Sequence, residues 1–305
     1  MILFQKNNIM PIHLFSFITW DPSPYLVDLG FLKIHYYSLC WILAFVIGWY
    51  MMAKIFRQEN EKKELLDPLF LYVFIGCILG ARLGEFIFYD PKAFIDRPIE
   101  VLLPVAYSPG HTAFGFLQDY EFVGFQGLAS HGAALGVIIS AYFFSRKYLK
   151  RSALWILDRI AVVVPLGGAA VRFGNFMNSE IVGKPSDLPW AVKFLAQSSS
   201  YGEVVPRHPA QLYEALGYII LGFIMWTLYQ KIQYRKQMGA LLGVFLFFLF
   251  LIRFIVEFFK ENQGKEAVAE TINVGLNNGQ ILSIPFMLIG LYLFISSKNR
   301  IFNRA

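Results

Sequence analysis

GALLGVFLFFLFLIRFIVE, residues 239–257, runs from Gly239 to Ile252 without a charge, then places Arg253 and Glu257 four residues apart. An α-helix rises 1.5 Å per residue, so about 20 apolar residues cross roughly 30 Å of hydrocarbon. The stretch reads as a spanning helix near 239–259. Arg253 and Glu257 then stack on one face of its last turns. A charge at the middle of a span costs about 2.5–3.5 kcal/mol on insertion scales, so ionisable residues there are functional more often than accidental.

Working outward, similar runs lie near 34–55, 68–88, 128–145, 153–172, 211–230 and 279–297, which predicts seven transmembrane helices. The composition agrees. With 56% hydrophobic and only 16% charged residues, the 305-residue chain has too little polar surface to be a water-soluble globule. Its formal charge of +6 is gathered in short clusters between apolar runs rather than along one face, which argues against nucleic acid. Cys40 and Cys77 both sit in apolar runs and read as packing residues rather than a disulfide pair. The first thirty residues show no basic region leading into an apolar core and a small-residue cleavage site, so no cleaved signal is expected.

The basic clusters orient the spans. Lys54, Arg57, Lys62 and Lys63 follow the first, Arg146, Lys147, Lys150 and Arg151 the third, Lys231, Arg235 and Lys236 the fifth, and Lys298, Arg300 and Arg304 the seventh. Cytoplasmic loops carry such excess, which puts the N-terminus outside and the C-terminus in the cytoplasm. The fold class expected is therefore an all-α integral membrane protein, a single polytopic domain over 1–305. Its long segments 1–33, 89–127 and 173–210 lie outside, and the last, with Pro185 and Pro189, forms a small external cap. Segment 107–127 is long and aromatic.

On this topology the polar stretches converge at the external side. His131 opens the third span and Arg172 closes the fourth, followed by Asn175, Asn178 and Glu180. His208-Pro209, with Gln211 and Glu214 behind it, reads chiefly as a helix start with proline in the first turn. A planar guanidinium fork suits phosphate oxygens, so Arg253 can face an anionic headgroup while Glu257 orients it. An imidazole such as His131 can act as a base near neutral pH or simply as an interfacial hydrogen-bonding residue. Gly76, Gly80 and Gly84 form a small-residue ladder that lets helices pack closely, as do Gly132, Gly136 and Gly167-Gly168. Arg82 and Glu85 stand beside that ladder and leave a headgroup contact open. The sequence has no H-E-x-x-H, G-x-S-x-G or Walker loop and no Cys/His metal cluster, so neither a metal nor a cofactor is expected. A lipid transporter would share the arginines, but transporters place their sites near the midplane of inverted repeats, and no repeat is evident. A non-catalytic lipid-binding scaffold fits the variety of ionisable types less well.

At these residues the chain resembles the prolipoprotein diacylglyceryl transferases. The resemblance runs from Tyr36-Tyr37 through Gly80-Ala81-Arg82-Leu83-Gly84, His131-Gly132, Arg172–Gly183, His208–Glu214 and Arg253–Glu257 to Gly279–Pro285. It implies a seven-span enzyme of the bacterial cytoplasmic (inner) membrane with its active site toward the external face. Its substrates would be phosphatidylglycerol and the lipobox cysteine of a preprolipoprotein signal peptide, giving a diacylglyceryl thioether and glycerol phosphate. By the same resemblance His131, Arg172 and Arg253 are catalytic, and Tyr37, Asn175, Asn178, Glu180, Gly183 and Glu257 bind substrate.

Overall fold

The computed structural model describes residues 17–29, 33–124, 129–197, 204–261 and 275–301. Parts of the predicted external segments 1–33, 89–127 and 173–210 lie outside the described residues. The helices are α1 (Tyr36–Gln58), α2 (Leu66–Tyr89), α3 (Ala93–Asp96), α4 (Pro98–Leu102), α5 (Ser130–Phe144), α6 (Ala153–Met177), α7 (Ala210–Gln230), α8 (Ile232–Lys236), α9 (Ala240–Val256) and α10 (Asn278–Ser297). The strands are β1 (Ile18–Trp20), β2 (Tyr25–Asp28), β3 (Lys33–His35), β4 (Val105–Ala113), β5 (Leu117–Phe122), β6 (Val192–Phe194) and β7 (Pro206–Arg207).

Every predicted run is helical. Five of the helices, α1, α2, α6, α7 and α10, are long and apolar enough to cross a membrane. The remaining two are shorter: α9 has 17 residues and α5 has 15 before a π-helical turn at Ser145–Leu149. The chain is thus largely helical, with several membrane-length helices. It is not purely α, because short strands occupy the connections.

The fold comprises two compact units. The first takes Met1–Val46, Val164–Ile224 and Phe245–Leu291. Here β1 pairs parallel with β6, and β7 pairs antiparallel with β6, making a small sheet. Phe176, Val182, Val192 and Phe194 form its buried core, with Trp20 and Leu212 against them. The Trp20 indole donates to the Phe176 carbonyl (3.1 Å), which also accepts the Ser179 amide (3.0 Å), so the sheet is tied to the C-terminal end of α6. The segment predicted as a cap is this sheet. Its prolines exclude helix and are tolerated at strand ends and edges.

The second unit takes Ile47–Val163, Met225–Val244 and Tyr292–Ala305. Its centre is the pair α2 and α5, packed backbone to backbone. A Cβ on Gly76, Gly80 or Gly84 would strike the backbone of Gly136 or Gly132, and a Cβ on Gly132 or Gly136 would strike Gly80 or Gly76 in return. The small-residue ladder therefore does what its spacing predicts. Two buried charges complete this unit. Arg159 grips Glu59 through Nε and Nη2 at 2.8–3.0 Å beneath the Tyr229 hydroxyl. Asp158 accepts the amides of Gly239 (2.7 Å) and Leu242 (2.8 Å), capping α9 where its first N–H groups have no helical partner.

Candidate active site

Within the first unit, the C-terminal ends of α6 and α9 and the N-terminal ends of α7 and α10 supply the polar residues. α6 stops at Met177, and the chain then turns through Ser179 (φ 54°) and Ile181 (φ 59°), both left-handed. For a β-branched residue such as Ile181 that conformation is a true outlier, of the kind held at functional sites by the surrounding structure. The turn folds Glu180 back on the helix end. Its carboxylate accepts the side-chain amides of Asn175 (2.8 Å) and Asn178 (3.4 Å), while its backbone carbonyl accepts from Gln211 (2.6 Å).

Arg172 lies on the same helix end. Its Nη1 donates to the Asn175 amide oxygen (3.1 Å) and its Nε closes on one oxygen of Glu214. The other oxygen of Glu214 takes Lys260 (3.0 Å), whose ammonium also reaches Glu257 (3.2 Å). Glu214 has no solvent exposure, so one buried carboxylate is shared between two cations, and Glu257 supplies Lys260 with a second negative charge. Arg253, half-buried on α9, lies in the electrostatic field of Glu214 and of Tyr218. Among the described residues its guanidinium makes no hydrogen bond and no ion pair, while its carbonyl accepts the Glu257 amide (3.0 Å).

Glu257 departs from expectation. It pairs with Lys260 rather than with Arg253, because its carboxylate rests over the first turn of α10. A Cβ on Gly279 would come within 2.7 Å of its oxygens. A helix N-terminus favours such a negative charge. That turn is closed by a reciprocal box: Gln280 N donates to the Asn277 side chain (2.9 Å) and Asn277 N to the Gln280 side chain (3.1 Å). Glu180 holds the amides of Asn175 and Asn178.

Gly183 is where two chain segments leave no room for a side chain. A Cβ there would meet His208 at 2.5 Å and the Phe259 carbonyl at 2.7 Å. Its amide donates to the His208 carbonyl (2.9 Å), and it bridges to Lys260, which fixes the backbone that aims that ammonium. Gly174 makes space in the same way for the Tyr37 ring (2.9 Å). His208 precedes α7, as its pairing with proline predicts. Its Nδ1 meets the Tyr213 hydroxyl (3.1 Å), which also accepts from Trp190 (2.8 Å). Burial pushes the His208 imidazole below its ordinary pKa.

The structure therefore gathers Tyr37, Arg172, Asn175, Asn178, Glu180, Gly183, Arg253 and Glu257 in one unit. His131 belongs to the other, half-buried in the first turn of α5. Glu214 and Lys260 enter the network with roles the sequence reading did not give them. Glu214 is a carboxylate one turn into an apolar run, and the argument used for Arg172 and Arg253 applies to it equally. Arg82, read as a headgroup candidate, is instead buried, donating to the carbonyls of Glu100 and Leu103 and lying over the Phe86 ring. Among the described residues no group of three or more His, Cys, Asp or Glu could hold a metal.

Fold and site define a multi-pass helical membrane protein with a partly buried cluster of arginines, a lysine, carboxylates and amides at one end of its helices. The sequence pattern that defines the prolipoprotein diacylglyceryl transferases matches residues 24–296. The chain is 39% identical to the phosphatidylglycerol--prolipoprotein diacylglyceryl transferase of Bacteroides fragilis, covering 93% of this chain and 96% of that one. It is 38% identical to the Porphyromonas gingivalis protein of the same name, over 94% and 97% of the two chains, and 38% identical to that of Chloroherpeton thalassium, over 92% and 95%. The chain belongs to the prolipoprotein diacylglyceryl transferase family.

Proposed function

We propose that this protein transfers the diacylglyceryl group of phosphatidylglycerol to the lipobox cysteine of a preprolipoprotein, releasing glycerol phosphate. The observation that carries this reading is Arg253. A guanidinium in the last turn of an apolar helix that makes no ion pair among the described residues, and shares the field of Glu214 with Arg172 and Lys260, has room for a further counter-charge. The phosphate of an anionic lipid supplies the missing partner in the planar geometry that guanidinium favours. Buried oxygens of Asn178 and Gln211 that accept no hydrogen bond among the described residues suit the hydroxyl donors of a glycerol headgroup.

In this reaction the cysteine sulfur attacks the glycerol carbon next to the phosphate ester. The carbon–oxygen bond breaks as carbon–sulfur forms, and glycerol phosphate leaves with the electron pair. Arg253 meets the charge that develops on it, and Arg172, held by Glu214 and Asn175, adds a second guanidinium. Asn175, Asn178, Glu180, Glu257 and Tyr37 position the headgroup, with Gly183 shaping the backbone. His131 is the base for the thiol, which with a pKa near 8.5 is only a few per cent ionised at neutral pH. The protein is read as a single polytopic domain over residues 1–305 of the bacterial inner membrane. It has seven spans, an external N-terminus, a cytoplasmic C-terminus, and loop segments 89–127 and 173–210 on the external side with the active site.

The test is transfer of labelled diacylglycerol from phosphatidylglycerol to a lipobox peptide by purified protein in detergent. Thioether formation is expected with the cysteine peptide and none with its serine counterpart. Arg253→Lys removes the planar fork but keeps the charge, and a loss of about 100-fold or more in kcat is expected from losing such a contact to the leaving group. Near-normal turnover in both Arg253→Lys and Arg172→Lys rejects the phosphate clamp. An unchanged rate and pH profile in His131→Asn moves the base elsewhere.

A further inference from the structure

The reaction proposed above leaves the segment between α2 and α5 without a role, yet it is built with care. Arg82 sits seven residues before the C-terminal end of α2, about 10 Å down that helix. It donates nevertheless to the carbonyls of Glu100 and Leu103, at the end of α4. Arg97 ties the same elbow to Asp90 (2.5 Å) and to Glu100 (3.1 Å), and Glu100 in turn accepts the Tyr107 amide (2.8 Å). The α3–α4 elbow is thereby folded back along α2, level with its apolar span Lys63–Ile87 rather than beyond its end. One side of the elbow buries Ala93 and Val101 against Phe86 and Leu83. The other side presents Ile95, 84% exposed, and Leu102, 66% exposed.

β4 and β5 continue from the elbow as a hairpin. Its tip turns through Phe114 (φ 55°) and Gly115 (φ 77°), closed by the Phe116 amide on the Ala113 carbonyl (3.3 Å). The register pairs Ala113 with Leu117, leaving a three-residue loop, and a positive φ at its first residue favours asparagine, aspartate or glycine, so a phenylalanine there is strained. The strained backbone sets the Phe114 ring against Phe116 (6.1 Å, stacked) and Phe122 (5.6 Å), and Phe116 is 74% exposed. Where the ladder slips between Tyr107 and Thr112, the Asp119 carboxylate accepts the Gly110 amide (3.0 Å), so that donor is paired without water.

We infer that the elbow and hairpin, residues 93–122, form an anchor lying in the lipid surface at the face where α2 ends. Ile95 and Leu102 seat among acyl chains, and the Phe114–Phe116–Phe122 cluster occupies the boundary between acyl chains and headgroups, where aromatic rings collect. The occupant is phospholipid because the elbow packs on Leu83 and Phe86 of α2, the same membrane-length helix whose own Leu79 and Ile87 are exposed.

The anchor is tested with p-benzoylphenylalanine at position 116, at position 95, and at Glu121, exposed on the hairpin strand β5, each in the full chain in phosphatidylcholine–phosphatidylglycerol vesicles. Irradiation followed by intact-protein mass measurement should give several-fold more lipid adduct at 116 and at 95 than at 121. Equal adduct at 116 and 121 overturns the inference, and position 95 guards against a local effect of the first substitution. If a lipobox peptide added to the vesicles replaces lipid as the main adduct at 116, the surface docks peptide and the lipid assignment fails. The outcome does not depend on whether the transfer reaction is observed.

Discussion

Consider Glu214→Gln, an isosteric change that removes one negative charge from the centre of the site. In the native protein that carboxylate is fully buried between Arg172 and Lys260, so this is a buried network rather than a surface pair. Removing one partner of a buried pair costs about 3–5 kcal/mol, because the other charge is left uncompensated. The two cations do not suffer equally. Lys260 keeps Glu257 at 3.2 Å, whereas the described partners left to Arg172 are neutral, chiefly the Asn175 oxygen at 3.1 Å. The loss should fall at the low end, about 3 kcal/mol. Lys260→Met leaves Glu214 paired with Arg172 and Glu257 over the first turn of α10. The hydrogen bonds it removes are charged, worth about 1.5–3 kcal/mol, and the retained partners place it near the bottom of that range. Unfolding in mixed dodecylsulfate micelles reads both. The double variant Glu214→Gln/Arg172→Gln removes both charges and should be at least about 1 kcal/mol more stable than the sum of its single losses. Strict additivity, or a Lys260→Met loss equal to that of Glu214→Gln, would refute the idea that Glu214 is the hub.

Gly136→Ala should destabilise by about 1–3 kcal/mol, since its methyl group would meet the Gly76 backbone, whereas Gly48→Ala, with Val163 at 3.5 Å, should be nearly neutral in the same unfolding assay. Phe114→Asn should recover part of the roughly 1–2 kcal/mol that a left-handed phenylalanine costs, seen as slower amide exchange in β4 and β5, while weakening lipid photo-adducts at position 116. Burial depresses the His208 pKa, so the unfolded chain takes up the proton first and stability rises with pH. The contribution is complete above about pH 6.5 and declines as pH falls through the window below it. His208→Gln should remove that dependence from a stability-against-pH series.

The long apolar runs made the helical framework legible, and residues four apart revealed the ladder of Gly76, Gly80 and Gly84. Helix ends were less accurate. The run at 239–259 shrinks to Ala240–Val256: Gly239 adopts φ 87° and gives its amide to Asp158, a partner far away in the chain, and at the other end the amides of Phe258 and Phe259 turn to the carbonyls of Ile255 and Val256, three residues back. The β4–β5 hairpin was hidden because Pro109 and Gly110 interrupt any strand pattern, and only the bulge and the Asp119 bond make them tolerable. In the site, Arg172, Asn175, Asn178 and Glu180 declared themselves by proximity in sequence. Glu214 did not, since a carboxylate in the first turns of a helix already has an ordinary explanation. Its pairing with Lys260 joins positions far apart in the chain, which spacing cannot reveal.

The contact between α2 and α5 has one more implication. At Gly76, Gly80, Gly84, Gly132 and Gly136 the backbones touch directly, with the small side chain of Ser140 seated against Gly76, and sliding by even one residue would drive a carbonyl into its neighbour. The two helices are thus bound to travel as one strut, and whatever flexing lets a lipid or a peptide in and out must be borne by other joints of the molecule.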